Sequence, residues 1–160
     1  MQNNGAGLSV LMERGGVYHD IPGKTAQEVL TCLIGAVKMP AGVDREKLLE
    51  AVLEREALMS TAVGKGIALP HPRNPIVSNA EAQLVITAFL EEPVNWNALD
   101  GQPVHTAILI VSASAKLHLG TLSQLNFFCQ QESFYRLLQN RSRAADIIRF
   151  VKDAEQEWSN

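Results

Sequence analysis

Two periods govern where apolar residues fall along this chain. From Thr25 onward Val29, Leu30, Leu33, Ile34 and Val37 recur at helical spacing. Thr25 followed three residues later by Glu28 forms a capping box, so a first helix is predicted over about 25–37. Pro40 and Gly42 break the pattern. Asp44 then caps a second helix whose apolar face is Leu48, Leu49, Val52 and Leu53 and which ends near Arg55 and Glu56. After Pro75 the period shortens to that of strands. Residues 83–90 are rich in β-branched and aromatic types and are closed by Glu91, Glu92 and Pro93. Asp100-Gly101 is a turn, and 104–111 form another strand, apolar enough in its second half to lie centrally in a sheet.

The flanks follow the same logic. Residues 1–7 read as a frayed polar tail. Residues 8–12 are a short apolar patch, either a helical turn or the start of a strand, ended by Gly15 and Gly16. Residues 17–21 are a short extended segment closed by Pro22 and Gly23. Ser112, Ala113 and Ser114 supply small residues and caps for a helix over about 115–130, on which His118, Leu122, Leu125 and Cys129 share one face. Two packing helices, 133–140 and 142–157, are predicted to cover the sheet. Arg136, Arg141, Arg143 and Arg149 are expected on their solvated faces, where together they can attract an acidic partner.

Composition narrows the class. With 160 residues, 46% hydrophobic and 19% charged, the chain fits one compact α/β domain with a sizeable core. A net charge of −3 and a pI near 5.8 argue against a dedicated nucleic-acid binder. Cys32 and Cys129 lie in apolar helical patterns, which suggests buried thiols in a reducing cytoplasm rather than a disulfide. No apolar run is long enough for membrane insertion, and the start of the chain lacks the layout of a signal peptide. A cytoplasmic protein is expected.

Candidate chemistry concentrates in GKGIALPHPRNP, 64–75. Gly64 and Gly66 suit a tight turn into the brief apolar run of Ile67, Ala68 and Leu69. Pro70 and Pro72 restrict the backbone on either side of His71. An imidazole held there is a nucleophile, a base or a ligand near neutral pH, or a surface histidine in an ordinary Pro-rich loop. His118 points inward at the start of a helix that follows a strand, where α/β proteins gather ligand-binding groups. Its alternative is a hydrogen-bonded core histidine. His19 and His105 receive no role.

Three motifs carry a family resemblance. REALMSTAVGKGIALPH (55–71), FLEEPVNWNALDGQPVHTAILIVSA (89–113) and KLHLGTLSQL (116–125), in that order, resemble the enzyme IIA domains of the bacterial phosphoenolpyruvate-dependent phosphotransferase system, of the mannitol, fructose and nitrogen-regulatory class. The nitrogen-regulatory branch is the most similar, through the turn at 100–104. The resemblance covers 8–158 as a single domain. It implies a mixed five-stranded sheet flanked by helices on both faces. It also implies that His71 accepts a phosphoryl group from an HPr-type phosphocarrier and passes it to an enzyme IIB-like domain or a regulated target. His118 would assist, and Arg55 would match the arginine of the site's Arg-Glu pair. The scheme needs no cofactor and no metal. A non-catalytic regulatory module on the same fold is the alternative, and a metal site using His71, His118 and a carboxylate is a distant third.

The chain departs from the family in one place. Where the family usually has glycine after the active histidine, Pro72 removes a backbone N–H and stiffens the loop. Arg73 is a compensating positive charge close by.

Overall fold

The computed structural model describes residues 6–159. The described elements run α1 (Leu8–Gly15), β1 (Val17–Ile21), α2 (Ala26–Ala36), α3 (Arg45–Leu58), β2 (Ala62–Gly64), β3 (Ile67–Ala68), a 3-10 turn (Ala80–Ala82), β4 (Leu84–Val94), β5 (Val104–Val111), α4 (Ala115–Cys129), α5 (Glu132–Gln139) and α6 (Ala144–Ser159). The five strands form one sheet in the order β1-β4-β5-β3-β2. It is mixed: β1 with β4 and β3 with β5 are parallel, while β4 with β5 and β2 with β3 are antiparallel.

Side-chain alternation on β4 builds a core on each face of the sheet. Leu84, Ile86, Ala88 and Leu90 join Val29, Leu30, Leu33 and Ile34 of α2 and Leu48 and Val52 of α3. Val85 and Phe89 turn the other way, toward Leu8 and Met12 of α1, Leu125 and Phe128 of α4, Phe134 and Leu138 of α5, and Ile147 and Val151 of α6. Helices therefore cover both faces. The fit of α1 is close: a Cβ at Gly15 would run into the Val85 carbonyl of β4.

The predicted caps are present. Thr25 Oγ1 accepts from the Glu28 N–H at 3.1 Å, and Glu28 Oε1 accepts in return from the Lys24 N–H at 2.9 Å. Asp44 and Ser114 cap α3 and α4 through the N–H groups of Lys47 and Leu117. Each such cap stabilises its helix by about 1 kcal/mol.

Several expectations change. The apolar patch at 8–12 is a full helix. The first five residues of the expected tail lie outside the described residues; Ala6 packs on the second core and Gly7 precedes α1. β4 does not stop at Glu91 but reaches Val94. The ladder to β5 loses register between Phe89 and Val94, so Pro93 sits where no inter-strand donor is needed. The turn chemistry at 60–64 includes a strand, β2, which forms a hairpin with β3 across Lys65 and Gly66, at φ 59° and 80°. Cys32 is exposed because it lies on the outer side of α2, while Cys129 is buried. Arg141 is a clamp rather than a surface charge. It donates to the Leu90 carbonyl at 2.8 Å and pairs with Asp20 at 2.6 Å.

The site is positioned by β3 and β5. They are parallel neighbours, with Ile67 beside Thr106 and Ala68 beside Ala107, so their carboxyl ends open at the same edge. Two further bonds hold the chain there: Leu69 N–H to the Thr61 carbonyl and Ile110 N–H to the Pro70 carbonyl, both 3.0 Å.

Candidate active site

His71 leaves β3 on a loop whose flanking prolines, Pro70 and Pro72, are both buried. Its Nδ1 lies 2.8 Å from the carbonyl oxygen of Leu69. A carbonyl only accepts, so Nδ1 carries the proton and Nε2 presents a lone pair. That Nε2 has no hydrogen-bond partner among the described residues and is not among the sealed polar atoms, so it faces a reachable space. Burial lowers the His71 pKa below its ordinary value, although the Leu69 carbonyl opposes the shift. The ring is neutral at pH 7.

His118 arrives from the first turn of α4. The two ring centroids are 4.5 Å apart at 44°. Burial brings the His118 pKa down to about 4, with further lowering by His71 and by the charge of Arg55. It too is neutral, holding one proton to donate.

Arg55 approaches from the last turn of α3. Its Nη1 donates to the Met59 carbonyl at 2.6 Å, a bond that suits a cation at a helix C-terminus. The other guanidinium N–H groups have no hydrogen-bond partner among the described residues. The guanidinium lowers the pKa of both histidines, so its charge is felt at both rings. The three residues singled out in the sequence thus converge.

Glu56 belongs to this corner as well, and the sequence suggested it only as the end of a helix and the neighbour of Arg55. Its carboxylate accepts from the Thr61 N–H at 2.8 Å and from Thr61 Oγ1 at 2.6 Å. It therefore ties α3 to the start of the β2-β3 hairpin that carries His71. Its charge raises the His71 pKa slightly against the dominant effect of burial. Around the site Leu58, Met59 and Leu119 are 61%, 71% and 65% exposed, more apolar surface than isolated side chains of a solvated face require. Arg73 is exposed and has no hydrogen bond or ion pair among the described residues.

No helix among the described residues is long and apolar enough to cross a membrane, and no group of three His, Cys, Asp or Glu side chains there is arranged to hold a metal ion. Chemically, the arrangement offers one nucleophilic nitrogen, one neutral donor and one guanidinium, a set suited to a transferable oxyanionic group.

Comparison with known proteins places the chain in a family. A family model described as phosphoenolpyruvate-dependent sugar phosphotransferase system, EIIA 2, matches residues 11–154. The chain is 28% identical over 152 residues to the nitrogen regulatory protein of Pseudomonas aeruginosa, covering 92% of this chain and 96% of that one. It is 34% identical over 126 residues to the PTS system fructose-specific EIIABC component of Bacillus subtilis, covering 76% of this chain but 19% of that much longer protein. The crystal structure of nitrogen regulatory protein IIA-Ntr from Neisseria meningitidis superposes with a TM-score of 0.76 over 89% of this chain and 97% of that one, at 23% identity, and shares its fold.

Proposed function

Because this chain belongs to the phosphoenolpyruvate-dependent sugar phosphotransferase system EIIA 2 family, we propose that it is a cytoplasmic phosphoryl carrier in which His71 Nε2 is the acceptor. The donor is the phosphohistidine of an HPr-type protein. The Nε2 lone pair forms a new N–P bond while the donor's N–P bond breaks and returns its electron pair to the donor imidazole. Handing the group on to an enzyme IIB-like domain or a regulated target runs the same exchange in the other direction. The observation that carries this reading is the 2.8 Å contact of Nδ1 with the Leu69 carbonyl, which holds the ring in the tautomer whose Nε2 is free.

Arg55 and His118 stabilise the charge that moves. The phosphoryl group brings nearly two negative charges to a half-buried corner, and Arg55 has uncommitted N–H groups to offer it. One such charged hydrogen bond stabilises by about 1.5–3 kcal/mol. His118 donates its single N–H, and the arriving charge raises its depressed pKa, strengthening the bond as the group is received. The exposed Leu58, Met59 and Leu119 support docking of a protein rather than a small donor at this rim.

Intact-mass analysis after incubation with phosphoenolpyruvate, enzyme I and an HPr-type carrier tests the proposal. One acid-labile phosphoryl group, absent in His71→Ala, is expected. No incorporation from a donor active on another acceptor would overturn it in favour of a regulatory module that binds without accepting phosphate.

A further inference from the structure

A largely apolar pocket with a few polar groups adjoins the site at His118. This cavity of about 240 Å³ lies between the 72–75 loop and the start of α4; His118 lines it and His71 does not. Ser112, the residue just after β5, lies on its wall and is only 7% exposed. The Ser112 hydroxyl has no hydrogen-bond partner among the described residues, yet it is not among the sealed orphan atoms, so it is open to the cavity. Such a group, unpaired within the protein in the wall of a pocket, is available to a ligand oxygen.

The neighbouring groups define that ligand's charge. Ala115 and Lys116 are the first two residues of α4, and their N–H groups have no intrahelical acceptor; only the Leu117 N–H is taken, by Ser114 Oγ. The positive end of a 15-residue helix dipole is therefore directed here, with no acidic residue in its first turn. Arg73 lines the cavity with an unpaired guanidinium, and no carboxylate lines it. Pro72, Pro75 and Leu119 make the remaining wall apolar. This apolar wall lies beside the polar groups, so an oxyanion held there can rest a small carbon body on it.

We infer that this cavity binds a small phosphate monoester, whose oxyanion takes the Ser112 hydroxyl, the Ala115 N–H group and Arg73, and whose short carbon body rests on Pro72, Pro75 and Leu119. A tetrahedral oxyanion has oxygens enough for all three donors. Since His118 borders both this cavity and His71, occupancy reports on phosphoryl transfer. That consequence rests on the carrier reading, whereas the binding does not.

Binding is therefore measured in a His71→Ala chain, which has no acceptor nitrogen, by amide NMR titration with glycerol 3-phosphate, inorganic phosphate and glycerol at constant ionic strength. Saturable shifts centred on Ser112 and Ala115 are expected with the ester, weaker binding with inorganic phosphate and none with glycerol. Arg73→Gln, on the exposed loop, weakens binding about tenfold or more. Ser112→Ala weakens it severalfold, and Ser112→Thr retains it. An ester that produces no saturable shift, or binding indifferent to Arg73→Gln in a folded chain, overturns the inference. Equal affinity for inorganic phosphate overturns the assignment of an ester.

Discussion

Strand β5 has a histidine-bearing corner at each end, and the two are desolvated alike but built differently. At the carboxyl end stand His71 and His118. At the amino end, His105 places Nδ1 2.7 Å from Thr106 Oγ1 and leaves Nε2 sealed and unpartnered against Gly66. Burial lowers the pKa of all three rings. The amino end is then closed off: the Asp100 carboxylate accepts from the N–H groups of Lys65 and Gln102, and Lys65 lies 5.8 Å over the Tyr135 ring. On the proposed carrier reading, desolvation is therefore not what would distinguish the nucleophile. That reading asks for a fixed protonated nitrogen and a reachable bare one, and of the two ends the carboxyl end meets both conditions.

The strongest way to break this comparison is to exchange the roles by mutation. His71→Ala is expected to abolish phosphoryl incorporation, measured by intact mass, while His105→Gln leaves it at the wild-type level and costs about 1 kcal/mol of stability through its lost hydrogen bond. Incorporation that survives His71→Ala and disappears in His105→Gln would reverse the assignment. Next in size, Arg55→Ala should slow transfer by about 10- to 150-fold, the loss of one charged hydrogen bond. Arg55→Lys should fall between, because it keeps the charge and loses the planar fork. An unchanged single-turnover rate in Arg55→Ala would remove the guanidinium from the site.

The amino end should instead respond in stability. Gly66→Ala forces a Cβ to within 2.6 Å of His105 Nε2 at a φ of +80°. A destabilisation of about 2 kcal/mol or more is expected in urea melts, with transfer unaffected. A smaller effect is expected from Pro72→Gly. It returns a backbone N–H to the loop and frees its motion, so transfer should quicken severalfold while stability drops by about 1 kcal/mol. Slower transfer in Pro72→Gly would mean that the stiff, buried loop is itself what holds His71 in place.

The contrast between the two corners also marks what was legible in the chain. The glycines at 64 and 66, the prolines around His71 and the caps at Thr25, Asp44 and Ser114 act over a few residues, so local pattern located them. His118 was recognisable because helical spacing aligns it with Leu122, Leu125 and Cys129. What pattern could not supply came from contacts distant in sequence. β2 is three residues long and exists by pairing with β3. β4 passes through Pro93 because the ladder is already out of register there. Arg141 reads as a surface charge until Leu90, 51 residues away, takes its N–H. For the same reason Glu56 read only as a helix end and Ser112 only as a small residue before a helix: the first is defined by Thr61 and the second by the cavity it lines.

The finest test of the comparison is acid stability. An unfolded histidine titrates near 6.5, whereas His118 in the folded protein does so at about 4. Above pH 6.5 neither state is protonated, and the group contributes no pH dependence. Between about 6.5 and 4 the unfolded chain binds a proton that the folded chain refuses, so stability falls as pH falls, and the loss levels off below about 4. His71 and His105 act with the same sign. His118→Gln should therefore shrink, without abolishing, the drop in urea midpoint between pH 7 and pH 5; an identical drop would show that His118 is solvated. Phosphorylation sharpens the distinction. Negative charge on His71 raises the His118 pKa and leaves that of the remote His105 unmoved, so ring-proton titrations of the two forms should differ at one corner of β5 only. Equal shifts at both corners would mean that the phosphoryl group acts through a change of fold and not through its charge beside His118.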